Sequence, residues 1–150
     1  MFRNARVRIH NIYQDSEYEG CMLITFSDID NSPDMLVSYF STGEDISWMV
    51  GKELYVHLAM AGEIRKTEER VQTDFLFPTG YFAIYELYGV LHQNEEDFDF
   101  YLEPCHALPF DIEYDILGPD MLRKYLGECV CLRGELSAYL YCETADEMAC

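Results

Sequence analysis

Two short segments carry a carboxylate at every second residue: Asp97-Phe98-Asp99-Phe100 and Phe110-Asp111-Ile112-Glu113-Tyr114-Asp115-Ile116. In a strand, alternate residues share a face, and same-face neighbours lie about 6.5–7 Å apart. Asp97 and Asp99 thus share one strand face, as do Asp111, Glu113 and Asp115 on theirs. A row of negative charge at that spacing imitates the phosphates of one DNA strand, and it complements a basic protein surface. Paired carboxylates can also act as acid and base, and Glu86 with Asp99 is one such pairing. With 28 Asp and Glu in the chain, some pairs arise by chance. The charge row is the stronger reading, and these five residues are the candidate partner-binding site.

The whole chain supports that choice. Its 150 residues carry 28 acidic side chains against 10 Lys and Arg, a net charge of -18. From Glu86 to Asp120 there are ten carboxylates and neither Lys nor Arg. A phosphate backbone would be repelled there, which argues against nucleic acid and anionic membranes as partners. The cations gather instead at Arg3/Arg6/Arg8, at Arg65/Lys66/Arg70 and at Arg123/Lys124.

Other chemistry is poorly represented. Cys129 and Cys131 share a strand face, and the adjacent Cys105 and His106 supply further donor atoms, but there is no CxxC or HxxxH spacing. Reduced cysteines in a core are commoner than zinc ligands at such spacings. No nucleophile elbow, P-loop or dinucleotide fingerprint occurs. The expectation is no metal, no cofactor and no catalytic residue. Arg3, Arg6 and Arg8 interrupt any leader-like apolar run, and no stretch is long enough to span a membrane. The chain therefore reads as soluble and cytoplasmic, with its thiols reduced.

The elements that must position these residues are mostly strands. Period-two alternation or apolar runs mark residues 6–12, 21–26, 35–40, 52–60, 71–77, 81–93, 97–102, 110–116 and 129–142. Leu54, Val56 and Leu58 share one face; Tyr55 and His57 share the other. Residues 63–70 are polar and read as a hairpin tip or short helix. Residues 44–50 suit one helical turn ended by Gly51, and residues 119–126 suit a short helix ended by Gly127. Tyr81, Phe82, Tyr85, Tyr88, Phe98, Phe100, Tyr101 and Phe110 are expected to build the core and one wall. The count is about nine strands, with no strict βαβ alternation. The fold expectation is mainly β: an OB-like barrel or two packed antiparallel sheets with one or two short helices.

A local phrase occurs twice. Trp48-Met49-Val50-Gly51-Lys52-Glu53-Leu54-Tyr55-Val56 and Lys124-Tyr125-Leu126-Gly127-Glu128-Cys129-Val130-Cys131-Leu132 both read as helical turn, glycine, strand. With Tyr85-Glu86-Leu87-Tyr88-Gly89-Val90-Leu91 before it and Arg133-Gly134-Glu135-Leu136 after it, the second copy makes residues 81–141 resemble OB-like small barrels. The resemblance implies architecture, since that fold hosts unrelated functions. One domain over residues 1–150 is expected, built from two similar β halves at about 1–77 and 78–142. The functional expectation is a non-enzymatic adaptor or inhibitor that docks on another, basic protein. Two alternatives stay open: a barrel binding a small molecule or single-stranded nucleic acid through its aromatic residues, and a hydrolase with carboxylate or Cys/His chemistry.

Overall fold

The computed structural model describes residues 3–67, 77–78, 82–93, 95–96, 100–104, 110, 112–115 and 122–140. The chain is mainly β, as its alternation implied. The strands are β1 (Ala5–Gln14), β2 (Glu19–Phe26), β3 (Met35–Ser41), β4 (Glu53–Lys66), β5 (Phe77–Pro78), β6 (Ile84–Gln93), β7 (Phe100–Pro104), β8 (Ile112–Asp115) and β9 (Cys129–Leu140). A 3₁₀ turn, Ser47–Met49, precedes β4. The hydrogen-bonded order is β5-β6-β9-β3-β2-β1-β4-β8, with β7 on β6 and a further pairing of β9 with β4. The path β9-β3-β2-β1-β4 therefore returns to β9, a partial ring of the barrel-like kind. Its strands come from the first half of the chain plus β9, so among the described residues β9 is the one part of 81–141 that belongs to it. Among the described residues no helix is long and apolar enough to cross a membrane.

The chain divides into two compact units, and β4 and β9 each contribute to both. Unit 1 comprises Met1–Leu58, Pro109–Asp111 and Leu136–Cys150. Here β1 pairs antiparallel with β2 and with the start of β4, and β3 pairs antiparallel with β2 and parallel with the end of β9. Alternation decides what is buried: Val7, Ile9, Met22, Ile24, Val37, Leu54, Val56 and Leu58 are inside, while Tyr55 is exposed. Tyr39 is 1% exposed, and its hydroxyl has no hydrogen-bond partner among the described residues. A buried hydroxyl without a partner is destabilising, because its hydration is lost without replacement. Tyr39→Phe is therefore expected to leave stability unchanged or raise it by up to about 1 kcal/mol in urea denaturation. A loss of that size would mean that the hydroxyl is bonded in solution.

Unit 2 comprises Ala59–Leu108 and Ile112–Glu135. β6 is its central strand, with β9 on one side and β5 and β7 end to end on the other. The edge position of β5 suits Pro78, which has no N–H to donate. Leu87, Leu91, Val130 and Leu132 are buried.

The recurring phrase forms the same hydrogen-bonded motif in each unit. Gly51 N–H donates to Ile9 O (2.7 Å) and Ile9 N–H to Lys52 O (3.0 Å); Gly127 N–H donates to Leu91 O (2.9 Å) and Leu91 N–H to Glu128 O (3.2 Å). The strand registers match as well: Val7 faces Leu54 and Arg8 faces Glu53, as Gly89 faces Val130 and Val90 faces Cys129. Both glycines sit in the left-handed region, at φ 80° and 78°, which ends the turn and frees the chain to enter a strand.

Two expectations need correction. Residues 63–66 are not a hairpin tip or helix: β4 continues through Lys66. Polar residues are tolerated there because Glu63, Arg65 and Lys66 are exposed on the outside of a strand that still has pairing partners. Phe82 belongs to no core; it lies in the turn before β6 and is 54% exposed. Tyr85 and Phe110 are buried as expected, and Tyr88 is half-buried.

Candidate functional site

Exposed carboxylates gather at one end of unit 1, where two loops meet. The ladder of β1 and β2 ends at Gln14 and Gly20. The turn between them closes when Asp15 N–H and Ser16 N–H donate to Glu19 O at 3.1 and 3.0 Å. The loop after β3 is tied to it, for Ser41 N–H donates to Tyr18 O at 2.7 Å. The Tyr18 ring packs against Gly43, where a side chain would collide with it. This brings together Asp15, Glu17, Glu19, Glu44 and Asp45, all exposed, with the exposed rings of Tyr13 and Tyr18.

Asp45 also organises the 3₁₀ turn, since its Oδ1 accepts Ser47 N–H at 2.9 Å. Hydrogen bonds from the Ser47 backbone and hydroxyl hold the Asp45 carboxyl below the usual carboxylate range. The depressed value makes folding favour the ionised form. That contribution is full above the unfolded-state pKa, about 4, and is lost as pH falls through the lower folded value. In a carboxyl NMR titration, Asp45 should protonate at lower pH in the folded chain than in a peptide of the same local sequence. Equal midpoints would mean that the Ser47 bonds to the Asp45 carboxylate do not hold in solution.

Along the strands beside these loops runs an aromatic row. Glu19 on β2 is opposite Phe40 on β3, and Phe40 is opposite Tyr139 on β9. The Phe40 and Tyr139 rings stack at 5.3 Å between centroids, and the His57 ring of β4 meets Tyr139 edge-on at 5.9 Å. Phe40, Tyr139 and His57 are half-buried.

Several cations of the chain are already engaged. In unit 1, Arg6 pairs with Glu53 and with Asp28 (3.7 Å), and Arg8 pairs with Glu53 (3.3 Å) while donating to Gly51 O (3.0 Å). In unit 2, Lys66 pairs with Glu128 (3.2 Å) and Arg133 with Glu86 (3.4 Å).

Unit 2 holds the other side-chain cluster of note. Tyr88 O–H donates to Glu86 Oε2 at 2.8 Å, and the Cys131 thiol contacts the same oxygen at 3.9 Å. Burial pushes the Cys131 thiol up; hydrogen bonds from Tyr88 and Arg65 oppose that, and the Glu86 charge adds to it. Burial and the Glu86 hydrogen bond likewise raise the Tyr88 phenol. A thiol that is 1% exposed and held protonated is a poor nucleophile, because the thiolate is the reactive form. Among the described residues no three His, Cys, Asp or Glu are grouped to hold a metal.

Of the five carboxylates singled out in the sequence, Asp97, Asp99 and Asp111 lie outside the described residues. Glu113 is exposed on β8, and Asp115 ends that strand. The acidic end of unit 1 was missed, though a signal existed: residues 9–51 hold eight carboxylates and neither Lys nor Arg. It was passed over because Asp15, Glu17 and Glu19 alternate across a turn into the start of β2, while Glu44 and Asp45 lie in a separate loop, so no single strand carries the set. No family model, curated protein or solved structure matches the chain.

Proposed function

We propose that this protein is a non-enzymatic binding module that docks on a basic protein. The observation that supports it most is the end of unit 1, where two bonded loops present five exposed carboxylates and two exposed tyrosines. Such a surface steers a cationic partner, and the tyrosines supply contact area at small entropic cost. Asp97, Asp99, Asp111, Glu113 and Asp115, the row read from the sequence, are proposed for the same class of partner. The free thiols Cys21, Cys129 and Cys131 agree with action in the cytoplasm. Oligonucleotide binding is less well supported, because the loop between the first two strands, which OB-like proteins use for that purpose, here carries carboxylates.

The test is a fluorescence-anisotropy titration of the full chain with a labelled Lys/Arg-rich peptide. Binding is expected to weaken by about tenfold between low and physiological-to-high salt, as exposed charges are screened. Neutralising the loops with Asp15→Asn, Glu17→Gln, Glu19→Gln and Glu44→Gln together should weaken it by a similar factor at low salt. Affinity indifferent to both salt and these substitutions would overturn the proposal, as would tighter binding of a single-stranded oligonucleotide.

A further inference from the structure

The geometry points to an arginine-reading subsite on unit 1, formed by the Phe40–Tyr139 ring stack and the Glu19 carboxylate. This rests on the basic-partner reading and names the side chain that the partner inserts. Glu19 and Phe40 are directly opposed on neighbouring antiparallel strands, so their Cβ atoms lie about 5 Å apart. Each ring of the stack is half-buried, while Glu19 is exposed. A carboxylate beside an aromatic face is the environment that distinguishes arginine from lysine. Guanidinium is planar and weakly hydrated, so it can lie on a ring and still bond a carboxylate at its edge. Ammonium is compact and strongly hydrated and gains little from the ring. Charge complementarity favours this occupant, because β2, β3, residues 53–58 of β4 and residues 136–140 of β9 contain neither Lys nor Arg.

The experiment compares two peptides of equal length and charge, one alternating Arg with Gly and the other Lys with Gly, titrated against the full chain. The Arg peptide is expected to bind about threefold to tenfold more tightly. Phe40→Leu, which keeps an apolar side chain but removes the ring, should lower Arg-peptide affinity to the Lys-peptide level and leave the Lys peptide unchanged. Phe40→Tyr should keep the preference. Glu19→Gln, at an exposed position, should reduce the preference without disturbing the thermal midpoint. Equal affinity for the two peptides, or a preference that survives Phe40→Leu, overturns the subsite and leaves the basic-partner reading standing. Failure of both peptides to bind at low salt overturns that reading and the subsite with it.

Discussion

Gly134→Ala is expected to lower unfolding stability by about 3 kcal/mol or more, the high end for overpacking. A methyl group at Gly134 would stand 2.7 Å from the carbonyl carbon of Ala61 and 3.0 Å from Gly62 Cα, and closer still to the Ala61 oxygen. The reverse substitution meets the same wall, for a methyl at Gly62 would press on the Arg133 carbonyl and Gly134 Cα. Both obstacles are backbone, which cannot rotate away as a side chain can, so β4 and β9 would have to separate where they face each other. Gly127→Ala is the control. Space is open there, and the penalty is the left-handed backbone alone, about 1–2 kcal/mol. Urea denaturation of the two variants separates the causes. If Gly134→Ala costs no more than Gly127→Ala, close approach is not why glycine stands at 134.

Phe26→Ala should cost about 3–5 kcal/mol. Phe26 is 2% exposed and Phe110 is 3% exposed; their rings stack at 4.9 Å between centroids and 15° between planes. Removing the Phe26 ring takes apolar surface from the core of unit 1 and leaves Phe110 facing a cavity. Combined with Phe110→Ala, the two losses should fall short of additive by about 0.5–1.5 kcal/mol, the worth of an aromatic pair beyond its area. Phe82→Ala, at an exposed turn position, should stay within about 0.5 kcal/mol of the parent. A small effect of Phe26→Ala would place that ring outside the cooperative core.

Much of the architecture can be read locally. Val7 and Ile9, and Leu54, Val56 and Leu58, alternate with polar residues, and each set is buried. Gly51 and Gly127 stand where a short turn must give way to a strand, and both adopt positive φ. These features are legible because they follow from sterics within a few bonds of each residue. The net charge of -18 is legible too, since it needs no coordinates.

Strand partnership is of a different kind. A period of two is the same for every strand, so it says which face is inward and not which neighbour lies alongside. That β3 runs parallel to β9, that Phe110 closes on Phe26, and that Glu19 stands across from Phe40 beside Tyr139 all depend on register between distant segments. Register is settled when the whole core packs, because a one-residue slip would turn every buried side chain of a strand outward. The same holds for the acidic end of unit 1: its carboxylates come from two separate segments of the chain, and the Ser41–Tyr18 hydrogen bond joins them.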